Sequence, residues 1–214
     1  MPDFETEFDK YYTKALDLLR RNGSTAEVYE YIRSIDDDDY RARTFDRLAQ
    51  FLAEQGNLAE ALRYCAAIGR PLEHADALFE VGRVLRRKHS FEEAKRIFER
   101  AVETAGAVER GEDKAVVFLQ VADQLERLEH KDEALTLVYR AVELAKPIPQ
   151  NFEASKTLRG CARILARWNR WSEAIRVAEA IESRWPALRQ TTLEEVQGRG
   201  QWPVHPGAHS EDDD

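Results

Sequence analysis

Apolar residues recur along this chain at helical spacing, and the same arrangement returns unit after unit. One phase is held by Val28, Ala61, Ala94, Ala134 and Ala174, separated by 33, 33, 40 and 40 positions. Twelve to thirteen residues ahead of each stands a pair of one large and one small residue: Ala15/Leu16, Leu48/Ala49, Val81/Gly82, Val121/Ala122 and Cys161/Ala162. A small side chain at such a position lets two helix axes approach closely. Further apolar positions repeat at Leu19, Leu52, Leu85, Leu125 and Leu165, and at Ile35, Ile68, Ala101, Ala141 and Ile181. The pattern predicts five helical hairpins, at about 8–35, 41–68, 74–105, 114–145 and 154–184.

The polar stretches between paired helices share that register. "RRNGSTAE", "AEQGNLAE", "RRKHSFEE", "ERLEHKDEA" and "ARWNRWSEA" fall at one phase. Gly23 and Gly56 stand where a helix stops on a left-handed residue. Ser24, Asn57 and Ser90 then offer N-caps, each with a glutamate three residues on, as in a capping box. The wider 40-residue spacing predicts either longer second helices or looser connectors in the last units.

These residues resemble the tetratricopeptide repeat (TPR) family, a helical hairpin of about 34 residues with small residues at two helix crossings. The matches are Ala49, Leu52, Gly56 and Ala61 in the second copy, Gly82 and Ala94 in the third, and Ala162, Ala174 and Pro186 in the fifth. The 40-residue spacing is long for the family, and aliphatic residues replace most of its aromatics. The resemblance covers roughly residues 8 to 186. It implies an all-α fold, a right-handed α-solenoid of about five TPR-like hairpins over residues 1–190. Residues 191–214 read as a short capping segment, "TTLEEVQGRG", and a disordered acidic tail.

Charge matters here because a solenoid works through its surface. The chain carries a net −8, which disfavours broad binding to a phosphate backbone. Outward positions on the five first helices nevertheless hold fourteen basic and seven acidic residues. The cations considered partner-binding are Lys10, Lys14, Arg43, Arg47, Arg83, Arg87, Lys156, Arg159, Arg163 and Arg167. Guanidinium forks grip carboxylates in pairs, so such a wall suits an acidic or C-terminal peptide of another protein. The sharpest stripe is Lys156, Arg159, Arg163 and Arg167, spaced three, four and four apart on one helix face. A solvated face is the competing reading of the same stripe. Some TPR proteins hold a partner's acidic C-terminus with Lys and Asn on this wall; the chain has the cations and lacks the Asn.

Other features carry less. Glu211 to Asp214 either fold back onto the basic wall or keep the chain soluble, and the second is favoured. His205 and His209 are separated by Pro206 and Gly207, so no helix face joins them into a metal site. Cys65 and Cys161 occupy positions that are apolar in other copies, which predicts buried thiols. "DDDD" at 36–39 lacks the glycine and the bidentate glutamate of a calcium loop and suits a helix N-terminus. Trp168, Trp171 and Trp185 are expected to pack the end of the array.

No phosphate-binding loop, His-Glu-x-x-His, nucleophile elbow or CxxC occurs. The sequence therefore predicts a non-enzymatic interaction module or adaptor with no cofactor. The alternative is a single-stranded RNA binder showing Arg and exposed Trp168 and Trp171, which the net acidity disfavours. Self-association through the end faces stays open. No apolar run nears the roughly 20 residues of a membrane span, and the start of the sequence is acidic where a leader would be basic, so the expected location is cytoplasmic.

Overall fold

The structure is a computed structural model, and it describes residues 4–22, 24–146, 148 and 151–198. His205, His209, Glu211 to Asp214 and Gly23 therefore lie outside the described residues. Among the described residues ten helices pair into five hairpins: α1 (Phe4–Asn22) with α2 (Thr25–Arg33), α3 (Asp38–Glu54) with α4 (Leu58–Ala66), and α5 (Pro71–Arg87) with α6 (Phe91–Ala105). The last two are α7 (Gly111–Arg127) with α8 (Lys131–Ala145) and α9 (Phe152–Arg167) with α10 (Trp171–Glu179). An unpaired α11 (Pro186–Gln197) follows. Among the described residues there is no strand.

The 40-residue spacing is explained mainly by longer second helices. Helices α6 and α8 each run 15 residues, against nine for α2, α4 and α10. Ala101, Ala105, Ala141 and Ala145 continue the buried face through the added turns, so the extra length is packed against the neighbouring helices.

Each turn between paired helices from the second hairpin on is closed in the same way. The first residue after the turn donates its N–H back to a recurring leucine carbonyl: Asn57 to Leu52 (2.8 Å), Ser90 to Leu85 (3.0 Å), His130 to Leu125 (2.9 Å) and Arg170 to Leu165 (2.9 Å). This bond needs a left-handed residue just before it. Gly56 supplies one at φ 81°, but His89 (59°), Glu129 (65°) and Asn169 (60°) adopt the same conformation without being glycine. The capping expectation holds in part. The side chains of Ser24 and Asn57 accept the N–H groups of Glu27 (3.3 Å) and Glu60 (3.4 Å), whereas the Ser90 side chain makes no capping bond. Asp37 caps α3 by accepting from the N–H groups of Asp39 and Tyr40, both at 2.9 Å, so the acidic run acts as a helix start.

Small residues mark the helix crossings. Ala15, Ala49, Ala61, Ala94, Ala122, Ala134, Ala162 and Ala174 are wholly buried. At Gly82 a Cβ would sit 2.5 Å from the Phe98 ring, so the missing side chain leaves room for that ring between α5 and α6. Tyr64, also wholly buried, joins the first two hairpins by donating from its hydroxyl to the carbonyl of Thr25 at 2.7 Å.

Successive first helices touch: α1 meets α3, α3 meets α5, α5 meets α7, and α7 meets α9. Successive second helices share no comparable interface among the described residues, so the array curves with its first helices on the inner side. Helix α11 packs on both α9 and α10, the place a sixth first helix would take, and so covers the apolar flank of the last hairpin.

Candidate functional site: a cationic groove on the inner wall

The inner wall is not evenly basic. Its C-terminal half holds a groove of about 500 Å³ between α5, α7 and α9. Arg83 and Arg86 enter it from α5, Gln124 and Arg127 from α7, and Arg163 and Arg167 from α9. Five arginines thus face two carboxylates, Glu80 and Asp123, within the groove lining. Gly160 allows α9 to lie close to α7 here, because a Cβ would come within 2.4 Å of Leu119 Cδ2.

Most of these cations are partnered inside the protein. Arg83 bonds Glu80 (3.0 Å), Arg127 bonds Asp123 (3.1 Å), and Arg167 bonds Asp123 (3.0 Å) and Glu126. Glu195 of α11 is held by both Arg159 (2.5 Å) and Arg163 (2.8 Å). Burial raises the pKa of Glu195, but the hydrogen bonds from the two guanidiniums outweigh it and hold the carboxyl below the usual glutamate range. Lys156 turns to Glu153 at 3.0 Å. The stripe that looks like a partner's carboxylate site in sequence thus grips, at Arg159 and Arg163, a carboxylate of the protein's own capping helix.

Arg86 differs. Its Nε is buried with no hydrogen-bond partner. Burial, and then the neighbouring Arg127, Arg83 and Arg87, press its pKa downward against a single opposing carboxylate, Asp123.

The remaining sequence-predicted cations lie elsewhere on the wall. Arg87 reaches across to Glu54 (3.8 Å). Lys14 sits over the Tyr31 ring at 4.6 Å, and Arg43 over Phe8 at 4.7 Å. Lys10 and Lys14 line a shallow surface along α1 with Asp9, Asp17 and Arg21. Arg47 is exposed on α3, where its charge acts on Tyr12.

The wall around α3 and α5 has the opposite character. Asp39, Asp46, Glu73 and Asp76 border a cleft of about 340 Å³, opposed by Arg43 and Arg70. Desolvation in this cleft, with Asp46, Glu73, Glu80 and Asp113 nearby, pushes Asp76 up to about 6. A folded pKa above the unfolded one means the ionised group opposes folding above about pH 6, and that opposition fades as pH falls toward the ordinary aspartate range of about 4. Asp76→Asn should therefore raise the Tm at about pH 8 and leave it unchanged at about pH 4. Melts at the two pH values test this, and an equal shift at both would remove the electrostatic explanation.

No family model matches the chain, and no curated protein matches it. Among solved structures it is similar to the TPR-like repeats of a candidate kinesin light chain from Podosopora anserina and to a point-substituted form of the same repeats. Both are 16% identical at a TM-score of 0.50; 78% and 75% of this chain align with 91% and 88% of those chains. The fold is a TPR-like helical repeat. Ton1535 from Thermococcus onnurineus NA1 is also similar, at 16% identity and a TM-score of 0.47, over 87% of this chain and 56% of that one. At these identities the likeness speaks to the fold alone, so the groove must be read from its own residues.

Two of the groove's arginines were absent from the sequence-predicted set. Arg86 and Arg127 are among the fourteen outward cations and not among the ten considered partner-binding, because helical spacing does not say which cations converge across helices. Gln124 left a legible signal. It stands one residue before the recurring leucine, where the other TPR-like copies have Leu18, Phe51, Val84 and Ile164. A polar residue in an apolar register marks a position where packing alone does not choose the side chain.

Trp168 is half-buried and donates from its ring N–H to Glu126 at 2.5 Å, while Trp171 is 38% exposed. Trp185 tilts against Phe152 with ring centres 4.8 Å apart. Cys65 and Cys161 are wholly buried, and burial pushes both thiols up to about 12, so they behave as core residues. Among the described residues no group of three or more His, Cys, Asp or Glu is placed to hold a metal ion, and no helix is long and apolar enough to cross a membrane.

Proposed function

We propose that this protein is a non-enzymatic interaction module or adaptor whose inner wall takes an acidic or C-terminal peptide segment of a partner protein. The observation that carries this reading is the α5/α7/α9 groove, where the Nε of Arg86, beside Arg83 and Arg127, is buried with no hydrogen-bond partner. On this reading the site centres on Arg83, Arg86 and Arg127 rather than on the Lys156 to Arg167 stripe. Arg159 and Arg163 belong to the clamp on α11, Arg87 extends the positive charge of α5, and Lys10, Lys14, Arg43 and Arg47 add to the field from α1 and α3. Guanidiniums offer paired N–H donors to carboxylates, and a field of one sign raises the rate of encounter with an acidic segment.

The test is fluorescence anisotropy with fluorescein-labelled hexaglutamate. Wild-type protein should bind it, more weakly as salt rises, and Arg86→Glu/Arg127→Glu should reduce binding at least about tenfold, since reversing two cations of the groove replaces attraction with repulsion. Labelled oligouridylate bound more tightly than hexaglutamate, and lost in the same variant, would transfer the groove to single-stranded RNA. Equal binding of hexaglutamate by variant and wild type would remove the groove from the reading.

A further inference from the structure

Within the cationic groove, Gln124 is 7% exposed, and its Oε1 is buried without a hydrogen-bond partner. The Nε of Arg86, another lining residue, is likewise buried and unpartnered. One is an acceptor, the other a donor, and leaving either unsatisfied is unfavourable. The corresponding positions in the neighbouring copies are apolar and buried, Val84 at 2% and Ile164 at 3% exposed, so packing does not require an amide here.

The chemistry of the two orphaned groups is complementary to a peptide unit. An extended backbone presents N–H donors and C=O acceptors in alternation, which a side-chain amide and a guanidinium can meet from one wall. A phosphodiester, fully ionised at neutral pH, offers acceptors for the arginines but no donor for Gln124 Oε1. A phosphodiester group held by the arginines would leave the amide oxygen unsatisfied.

The geometry points to Gln124 as a backbone-reading residue: when its amide turns out into the groove, Oε1 accepts a main-chain N–H of an extended acidic segment, while Arg86, turned outward in the same way, donates from Nε to a carbonyl or carboxylate of the same segment. This rests on the acidic-peptide reading above and adds to it how the segment is held. Arg83 and Arg127 then meet side-chain carboxylates on either side, so affinity has a charge-dependent part from the arginines and a charge-independent part from the amide. The segment belongs to a partner protein.

A double-mutant cycle separates the two parts. Hexaglutamate and a series of analogues, each N-methylated at one peptide nitrogen, are titrated against wild type and Gln124→Leu. One central N-methyl group should weaken wild-type binding about tenfold, a typical loss when a buried polar group goes unpaired. The same methyl group should have little effect on Gln124→Leu. Gln124→Leu should itself bind hexaglutamate about tenfold more weakly. Its Tm should be equal to or above that of wild type, because an apolar residue there matches Val84 and Ile164; the loss of binding is then not a loss of fold. Equal binding of all analogues by the wild type, or an N-methyl penalty of the same size in Gln124→Leu, would overturn the backbone role while leaving the cationic site intact. Failure to bind hexaglutamate by both the wild type and a variant combining Glu211→Gln, Asp212→Asn, Asp213→Asn and Asp214→Asn would overturn both. Binding that appears only when Glu211→Gln, Asp212→Asn, Asp213→Asn and Asp214→Asn are combined would assign the groove to the chain's own acidic segment and overturn the partner.

Discussion

Phe98→Ala is expected to cost about 3–5 kcal/mol, the usual range for removing a fully buried phenylalanine. Its ring is wholly buried, lies against Phe79 with ring centres 5.8 Å apart, and fills the space above Gly82, where a Cβ would stand 2.5 Å away. With no side chain at Gly82 to move in, the void stays open. At roughly 2–4 °C per kcal/mol for a chain of this size, the Tm should fall by about 10 °C. The third hairpin also lies in the middle of the array, and each hairpin is stabilised by its neighbours. Losing it uncouples α1–α4 from α7–α11, so urea unfolding followed by circular dichroism should broaden or split. Gly82→Ala should be destabilising alone, because the buried ring must shift, and much less so beside Phe98→Ala, where the added methyl enters the void. A loss below about 1 kcal/mol for Phe98→Ala would mean that the two helices collapse onto each other.

Reversing both arginines of the α11 clamp, Arg159→Glu/Arg163→Glu, should release the capping helix. In the wild type one carboxylate, Glu195, accepts from two guanidiniums, with Arg163 contributing bonds at 2.8 and 2.9 Å. In the variant three carboxylates would face one another. Hydrogen bonds to charged groups contribute about 1.5–3 kcal/mol each when partly buried, so a loss of about 2–4 kcal/mol for the docked helix is reasonable. Amide exchange in residues 186–197 should accelerate while the first three hairpins stay protected. Adding Glu195→Arg should restore protection by reversing the pair, and failure of that rescue would show that α11 docks without the clamp.

Acid should have the same effect as the reversal. Because the folded pKa of Glu195 is depressed, its contribution is present above the unfolded glutamate pKa and is lost as pH falls through the folded value. The clamp also changes what a binding experiment reports. A partner lost from Arg159→Glu/Arg163→Glu would reflect a missing cap as readily as a missing contact, and for that reason Arg86 and Arg127 are the informative pair.

The helices, their pairing and the curvature-bearing small residues were legible because stacking imposes a periodic demand. Each hairpin leaves an apolar face that the next must cover, so Ala49, Ala61, Ala94, Ala134, Ala162 and Ala174 recur in register and are buried. The turns were legible where glycine filled the left-handed position, at Gly56, and hidden where His89, Glu129 and Asn169 take the same backbone conformation. Nothing in those side chains announces a positive φ; the returning leucine bond imposes it.

The site was legible only as an excess of cations on the first helices. Arg83, Arg127 and Lys156 pair within their own helices, but for Arg159, Arg163 and Arg167 pairing is decided across helices, by residues 32 to 44 positions apart in sequence. Arg159 and Arg163 look unopposed on α9 until α11 brings Glu195 against them, and Arg167 until α7 presents Asp123 and Glu126. Periodicity within one helix determines which face a charge occupies, and so the sequence by itself determined the repeat, the hairpins and the inner wall. Electrostatic pairing depends on distances between helices, so only the tertiary structure decided that the wall is acidic beside Asp46 and Asp76, basic beside Arg86 and Arg127, and left with an unanswered amide at Gln124.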